Sequence, residues 1–206
     1  MYRALVAFGW MMAWTILVNV AAAAEFNEVL NVGDVAPAWI DLPGVDGKQH
    51  SLRDLSGKQI VVVVFTCNSC PIAVDYEDRL IRFAKAHAGT ESPVALVAIN
   101  VNKVAEDLLP KMKERTKSKG FPFAYLFDES QKIAKDYGAL FTPQFFVLDK
   151  DRKVVYMGKM DDNTDATKAK VNYVELAVEA ALKGEKPQVQ ETLGVGCRIR
   201  FARDRK

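Results

Sequence analysis

One run of six residues limits what this chain can fold into. Residues 60–65 read IVVVVF, so they are apolar throughout and do not alternate with polar residues. A strand of this kind is buried on both faces, because neither set of its side chains is suited to water. Sheets covered on both faces occur in α/β proteins, where helices pack against each side. The run therefore predicts a central strand with helices above and below it.

Strand-like and helix-like segments alternate along the rest of the chain. A turn at residues 44–48 lies between short apolar pieces at 38–40 and 50–52, which predicts a small N-terminal hairpin. The segments after it are predicted as β 60–65, α 71–87, β 93–100, α 109–118, β 124–127, α 131–137, β 144–148, β 153–157 and α 166–182. This order predicts an α/β fold, in which helices flank a central mixed β-sheet and a tail follows the last helix.

The first 24 residues have the character of a targeting segment. Arg3 precedes an apolar run over residues 4–20, and the alanines at 21–24 supply the small residues of a cleavage site. We expect a signal peptide that is cleaved after Ala24. The alternative is an uncleaved anchor, which would be the chain's only contact with a membrane. Both predict export, to the periplasm or out of the cell, with a domain at 25–186 and a C-terminal tail at 187–206.

Composition excludes several classes of protein. A chain that is 50% hydrophobic with a net charge of +2 is not expected to be disordered, and it has no electrostatic reason to bind nucleic acid. Three cysteines in 206 residues are too few for a small disulfide-rich scaffold. Export would nevertheless place those cysteines in a compartment where disulfides persist.

Cys67 and Cys70 form a Cys-x-x-Cys motif between the buried strand and the first long helix. A thiolate at a helix N-terminus is stabilised by free N–H groups and by the helix dipole, and two intervening residues allow a disulfide to close. The motif therefore predicts thiol–disulfide exchange. The alternatives are a structural disulfide and half of a zinc site. A zinc site needs two more ligands, and only Cys197, His50 and His87 are available, widely spaced.

The order of elements and the motif together resemble the thioredoxin superfamily over residues 33–182. That fold places a cis-proline opposite the Cys-x-x-Cys, and the resemblance implies that Pro143 is this proline. A cis bond there leaves the backbone of Thr142 free to pair with a substrate peptide. Thr142 and Pro143 are therefore candidate substrate-binding residues.

Within the superfamily, the chain resembles the bacterial redoxins of the alkyl hydroperoxide reductase and thiol-specific antioxidant group. The resemblance rests on the segments FTCNSCPIAVDYEDRL, VAIN, GKMDD and GCRIR. It leaves two reactions open. One is thiol–disulfide exchange with another protein, and the other is reduction of a hydroperoxide by a peroxidatic cysteine.

Peroxiredoxins carry the pattern P-x-x-x-T-x-x-C and a late arginine, and this chain departs from both. Cys70-Pro71 is similar to the end of the pattern, but Cys67 stands where the threonine is expected. Pro143 occupies the position of the arginine. The departures favour a thiol–disulfide oxidoreductase in which Cys67 attacks and Cys70 resolves the mixed disulfide. A thiol-dependent, antioxidant peroxidase is the alternative.

Cys197 is the third cysteine, close to the end of the chain. It is a small residue packed in the tail, a second resolving thiol that reaches the active site, or an odd thiol that pairs between chains. A thioredoxin-like copper chaperone is a further alternative, because soft thiolates suit Cu(I), although such chaperones are expected to have a Cys-x-x-x-Cys spacing. We expect no metal or organic cofactor. Electrons would come from a dithiol protein or reductase and would pass to a protein disulfide.

Acidic residues lie near the motif and before the last helix. Asp75, Glu77 and Asp78 are on the helix that follows the cysteines, and they are expected to face solvent. Residues 161–165 read DDNTD, and Thr164 or Asp165 is predicted to cap a helix beginning at residue 166.

Overall fold

The computed structural model describes residues 24–89 and 91–202. The strands are β1 (Leu42–Pro43), β2 (Gln49–His50), β3 (Ile60–Phe65), β4 (Val94–Asn100), β5 (Ala124–Phe127), β6 (Phe141–Thr142), β7 (Gln144–Leu148), β8 (Val154–Gly158) and β9 (Cys197–Arg198). The helices are α1 (Pro71–Ala86), α2 (Leu109–Lys119), α3 (Lys132–Asp136) and α4 (Tyr173–Leu182), with two short 3-10 helices at Leu52–Leu55 and Ala105–Asp107.

The N-terminal targeting segment predicted from the sequence lies outside these residues, apart from Ala24. Within the described part of the chain, no helix combines the length and the apolar character that crossing a bilayer requires.

The central sheet has five strands in the order β5-β4-β3-β7-β8. Strand β3 is parallel to β4, and β4 is parallel to β5, whereas β3 pairs antiparallel with β7 and β7 with β8. All six residues of β3 are buried, as the apolar run predicted. The sheet is therefore mixed and covered on both faces, which confirms the α/β fold class.

Alternate residues of β3 enter two separate cores. Val61, Val63 and Phe65 lie in a cluster with Trp39 and Tyr137 on one face of the sheet. Val62 and Val64 lie in the other cluster, which contains the buried side chains of α1 and α4. Complete burial of each such side chain stabilises the fold by roughly 1.5–3 kcal/mol. Both cores hold β3, the second core also holds α1, and the cysteine motif joins those two elements.

Asp161 fixes α1 against the segment that follows β8. This carboxylate is buried, and it accepts hydrogen bonds from the Tyr76 hydroxyl at 2.8 Å and from Arg79 Nη1 at 2.6 Å. Burial and the adjacent carboxylate raise the pKa of Tyr76 far above its ordinary value, so the phenol remains a donor. The pairing explains how Arg79 is accommodated at 6% exposure.

The N-terminal hairpin is tighter than predicted. The predicted turn at 44–48 is confirmed, but the strands beside it are Leu42–Pro43 and Gln49–His50 and not 38–40 and 50–52. The Asp46 carboxylate accepts a hydrogen bond from the backbone N–H of Lys48, and this local bond stabilises the turn between the two strands. The earlier apolar piece instead contributes Trp39, which is almost completely buried in the core.

The last helix begins seven residues later than predicted. Its N-cap is Asn172, whose side-chain oxygen accepts the Glu175 N–H at 3.0 Å, so the prediction of Thr164 or Asp165 was wrong. Asp162 accepts backbone N–H bonds from Lys170 and Val171. Side-chain bonds of this kind compete with helix formation and hold this acidic segment as a loop.

Candidate active site

The cysteine motif lies at the carboxyl end of β3 and at the first turn of α1. Cys70 is the N-cap of α1, and Pro71 occupies the first helical position. The Ala73 N–H points at Cys70 Sγ, 3.4 Å away. A thiolate at this position would accept that bond and face the positive end of a 16-residue helix. Cys67 and Cys70 are both buried, at 3% and 2% exposure.

Thr142 and Pro143 lie directly beside the two sulfurs. The Thr142–Pro143 bond is cis. Strand β7 begins at Gln144 and pairs with β3 in a register that sets Gln144 opposite Phe65, which brings the proline to the motif. Cys67 Sγ is 3.4 Å from Thr142 Oγ1, and Cys70 Sγ is 3.1 Å from the Thr142 carbonyl oxygen. The structure therefore brings together all four of the residues that the sequence analysis selected.

Cys197 also reaches this site, because the C-terminal tail returns to it. Strand β9 pairs antiparallel with β6, which sets Cys197 opposite Thr142. Cys197 is joined by a disulfide to Cys70, with their Cα atoms 5.9 Å apart. Cys67 is the free thiol. The disulfide therefore differs from the Cys67–Cys70 bond expected from the motif, because the strand pairing brings a third sulfur to Cys70.

A buried carboxylate that the sequence analysis missed holds the loop between the two motif cysteines. Asp107 Oδ1 accepts the backbone N–H groups of Asn68 at 2.7 Å and Ser69 at 3.0 Å. Asp107 Oδ2 accepts the Ser69 hydroxyl at 2.6 Å. Asp107 has no exposed surface, and its own carbonyl accepts Asn100 Nδ2. Its position close to Pro110 indicates a helix start, and nothing local in the sequence connects it with residues 68 and 69.

Tyr125 holds the same loop from the other side. Its hydroxyl donates to Asn68 Oδ1 at 3.1 Å. Burial raises the pKa of Tyr125 well above its ordinary value, and the acidic groups Cys67 and Asp107 raise it further. The phenol therefore stays protonated and remains a hydrogen-bond donor. The loop is held by a neutral donor and by a carboxylate acceptor.

Of the three acidic residues on α1, Glu77 does not face solvent. It is 5% exposed and forms a two-bond ion pair with Arg115 of α2, at 2.7 and 2.8 Å. Lys119 lies 3.4 Å from the same carboxylate. The hydrogen bond to Glu77 raises the pKa of Arg115. These contacts join α1 to α2, and they compensate the charge of Glu77.

The two histidines lie in other parts of the fold. His50 contacts Asp46 at 3.0 Å in the hairpin, and His87 contacts Glu175 at 2.9 Å after α1. Within residues 24–89 and 91–202, no three His, Cys, Asp or Glu side chains are grouped so as to hold a metal ion. The sulfurs of Cys67 and Cys70 contact backbone and hydroxyl groups.

Comparison with known proteins gives one family and relatives of two kinds. The family model described as Redoxin matches residues 31–174. The chain is 28% identical over 131 residues to "Thiol-disulfide oxidoreductase ResA" of Bacillus thuringiensis (strain Al Hakam), covering 63% of this chain and 70% of that protein. It is also 28% identical over 142 residues to "Putative peroxiredoxin MT2597" of Mycobacterium tuberculosis, covering 61% of this chain and 83% of the relative.

Solved structures agree on the fold. An uncharacterized conserved protein from Geobacillus kaustophilus is 32% identical, with a TM-score of 0.78 over 85% of this chain and 95% of that protein. A putative thioredoxin from Neisseria meningitidis matches with a TM-score of 0.57 at 21% identity, over 72% of this chain and 90% of its own. The second likeness concerns the fold alone, which is thioredoxin-like.

Proposed function

This chain belongs to the redoxin family, and we propose that it is a thiol–disulfide oxidoreductase that exchanges disulfides with other proteins through Cys67 and Cys70. One observation carries the proposal: a disulfide and a free thiol meet beside a cis-proline at the start of α1. Relatives named thiol-disulfide oxidoreductase and putative peroxiredoxin support redox enzyme activity in general.

The proposed reaction is a two-electron exchange through a mixed disulfide. The thiolate of Cys70 attacks one sulfur of a partner disulfide, a Cys70–partner bond forms, and the other partner sulfur leaves as a thiolate that takes up a proton. Cys67 then gives up its proton and attacks Cys70 Sγ, which releases the second partner thiol. The products are a Cys67–Cys70 disulfide and a reduced partner. A dithiol protein restores the two thiols by the reverse exchange.

The assignment of attack to Cys70 reverses the roles expected from the sequence, and two contacts favour it. The first is the Ala73 N–H directed at Cys70 Sγ, which stabilises a thiolate. The second is the bond to Cys197, because Cys70 is the sulfur that is joined to a peptide lying along β6. Cys67 retains the role of resolving thiol, and Cys197 is a second candidate for that role.

Thr142 is proposed to orient both the sulfurs and the partner. Its hydroxyl lies 3.4 Å from Cys67 Sγ, and its carbonyl lies 3.1 Å from Cys70 Sγ. Its backbone pairs with an antiparallel strand in the structure, as a partner segment would in a mixed disulfide. Pro143 follows Thr142 through a cis bond and lies immediately before β7.

Trapping of the mixed disulfide tests the proposal. Reduced Cys67→Ser/Cys197→Ser protein is mixed with an oxidised disulfide substrate, and intact mass shows whether substrate is attached at Cys70. We expect this adduct to accumulate, because both resolving thiols are absent. Cys70→Ser protein is the comparison, and we expect it to show no exchange activity with the same substrate. Exchange activity that survives in Cys70→Ser would contradict the assignment of attack to Cys70. Exchange activity in a variant that has none of the three cysteines would overturn the proposed function.

We also propose that the exchange takes place after export. The support is the apolar segment with its alanine-rich end at residues 21–24. N-terminal sequencing of the protein purified from its native compartment tests this, with a start at Glu25 expected. The partner would then be another exported dithiol or disulfide protein.

A peroxidase is the second candidate, and the Cys70–Cys197 bond favours it specifically. A hydroperoxide would oxidise the Cys70 thiolate to a sulfenic acid and leave as an alcohol. The Cys197 thiol would then attack, giving water and the disulfide present in the structure. Stopped-flow reaction of the reduced protein with hydrogen peroxide separates the candidates. A rate close to that of a free thiol supports exchange, whereas a rate several decades faster supports the peroxidase.

A further inference from the structure

The C-terminal tail occupies the strand position beside the cis-proline. Backbone pairing joins Phe141 to Arg198 and Thr142 to Cys197, and the Ile199 N–H continues the pairing to the Leu140 carbonyl at 2.9 Å. The tail therefore lies where a partner segment would have to add its own strand.

Beyond that pairing, two buried side-chain amides bind the backbone of the tail. Gln131 donates from Nε2 to the Arg200 carbonyl at 3.0 Å and accepts the Ala202 N–H on Oε1 at 2.7 Å. Asn102 Oδ1 lies 3.5 Å from the Arg200 N–H. Gln131 and Asn102 are 1% and 5% exposed. We call these two residues the amide clamp.

The conformation of Gln131 indicates that its side chain serves the tail and not the helix α3 that it caps. Gln131 is the N-cap of α3 at φ 61°, a left-handed conformation that is uncommon for a residue with a side chain. Its side chain makes no capping hydrogen bond to α3. It is anchored instead by a bond from Nε2 to the Val101 carbonyl at 2.8 Å. The Gln131 amide is thus held in position to bind the backbone of a segment that lies there. Such contacts are available to segments with different side chains, because they involve backbone atoms only.

Side chains of the tail alternate between the fold and the solvent. Ile199 is 7% exposed and belongs to a hydrophobic core, and Phe201 packs against the same core. Arg198 and Arg200 are exposed. A segment bound in this way needs a cysteine followed by apolar side chains at the second and fourth positions.

Glycine is required immediately before the cysteine. Gly196 has φ 152°, and a Cβ atom there would overlap the carbonyl oxygen of Thr142. A side chain at this position would push the tail away from β6. It would do so without altering the amide clamp or the cysteines.

We propose that residues 196–202 are a tethered occupant of the partner groove, and that this groove runs from Thr142 to the amide clamp. Its external ligand is an extended segment of a partner protein, with a glycine before the cysteine and an apolar residue two positions after it. The inference rests on the proposed function, since it names the partner chemistry for the same site. A tethered segment competes at an effective concentration of about 1 mM, so the tail should suppress binding of the partner while it is docked.

An internal exchange would release the tail. The Cys67 thiolate attacks Cys70 Sγ, the Cys70–Cys197 bond breaks, and Cys197 leaves as a thiolate that takes up the proton from Cys67. One disulfide and one thiol are present before and after, so no external electrons are needed. The Cys67–Cys70 isomer and the fully reduced protein are therefore the forms in which the groove can open.

Binding of a peptide that cannot form a disulfide tests the inference separately from the chemistry. The probe is a labelled peptide of residues 192–202 carrying Cys197→Ser, and its anisotropy is measured with reduced full-length protein. We expect Gly196→Ala protein to bind the probe about tenfold more tightly than wild type, because its own tail no longer competes. Adding Gln131→Ala to Gly196→Ala should reverse the gain. Gly57→Ala is the matched control, because a Cβ there meets nothing within 4 Å.

Several outcomes would overturn the inference. The first is that wild type and Gly196→Ala bind the probe with equal affinity. The second is that a probe carrying Ile199→Asp binds as tightly as the original probe. The third is that Gly196→Ala forms a dimer with exchanged tails and does not bind the probe. If Gly196→Ala does not fold, hydrogen exchange of reduced wild type decides: the N–H groups of Ile199 and Ala202 should lose protection when excess probe displaces the tail, and protection that the probe does not change contradicts the inference. Probe binding without exchange activity would refute the proposed function alone. Exchange activity without probe binding would refute this inference alone.

Discussion

The two halves of the Cys70–Cys197 disulfide are held by very different amounts of structure. Cys70 joins a fully buried strand to a 16-residue helix, and Asp107 binds the loop immediately before it through three hydrogen bonds. Cys197 lies in a two-residue strand paired only with β6, and the amide clamp holds the residues that follow.

This difference assigns a fixed half and a replaceable half to the same bond. Moving Cys70 would require disruption of both hydrophobic cores. Once the disulfide is broken, moving Cys197 requires only the loss of the pairing with β6, of the amide-clamp bonds and of the contacts of Ile199 and Phe201 with one core. Opening free energies in proteins range from near zero up to the global stability, and short peripheral segments lie at the low end. The tail is therefore the part expected to leave.

The largest expected effect separates the two halves chemically. Cys70→Ser should lower the rate of disulfide exchange about a hundredfold or more, because it removes the sulfur common to every exchange step. Cys197→Ser should lower the rate by no more than about threefold, since Cys67 can still close a disulfide with Cys70. Turnover of a fluorescent peptide disulfide measures both. Equal losses of exchange rate in Cys70→Ser and Cys197→Ser would mean that Cys70 and Cys197 do not differ in function.

The next effect concerns the loop on the fixed side. Asp107→Ala removes a fully buried acceptor from the N–H groups of Asn68 and Ser69 and from the Ser69 hydroxyl, so the free energy of unfolding should fall by about 2 kcal/mol. Urea denaturation of reduced protein gives the value. Glu106→Ala is the control, because its side chain is exposed on the same short 3-10 helix. A loss below about 1 kcal/mol would show that water replaces Asp107 without cost.

A smaller effect is expected on the replaceable side. Ile199→Asp removes a buried side chain of the tail but none of its disulfide, so the Cys70–Cys197 bond should be reduced by glutathione about tenfold more readily. Mass mapping in glutathione buffers measures the equilibrium. Arg200→Ala should leave that equilibrium unchanged, because the Arg200 side chain is exposed. A shift of the same size in both variants would argue against a role for Ile199 in docking.

The smallest effect tests where the tail is anchored. Residues 190–192 pair with β8, and the Glu191 carboxylate accepts the backbone N–H groups of Glu25 and Phe26, each at 2.8 Å. If cleavage follows Ala24, the new amino group of Glu25 pairs with Glu191. Glu191→Gln should then lower the free energy of unfolding by less than about 1 kcal/mol, and less in high salt. An effect that does not respond to salt would contradict this ion pair.

The sequence predicted the central sheet better than the elements at its margins. The run at 60–65 and the segments 124–127 and 144–148 coincide with β3, β5 and β7, because buried apolar strands leave a strong local pattern. The strands of the hairpin and the start of α4 were misplaced, since Asp46, Asp162 and Asn172 decide those boundaries through one or two side-chain hydrogen bonds each.

The same distinction holds at the site. Cys67, Cys70, Thr142 and Pro143 lie next to recognisable elements, so the motif and the resemblance were enough to select them. Asp107 and Gln131 act on residues 38 to 71 positions away, and no local pattern records such contacts. The bond between Cys70 and Cys197 spans 127 residues and depends on the tail returning to β6.

The number of sulfurs at the site has a consequence of its own. Three cysteines can form only one internal disulfide at a time, and the sequence contains no fourth. One thiol is therefore always left over, whichever pair is joined. Passing the bond from Cys70–Cys197 to Cys67–Cys70 moves this unpaired sulfur from the buried motif to the tail. A fully oxidised chain is thus never chemically silent, because it still carries one group able to join a second molecule.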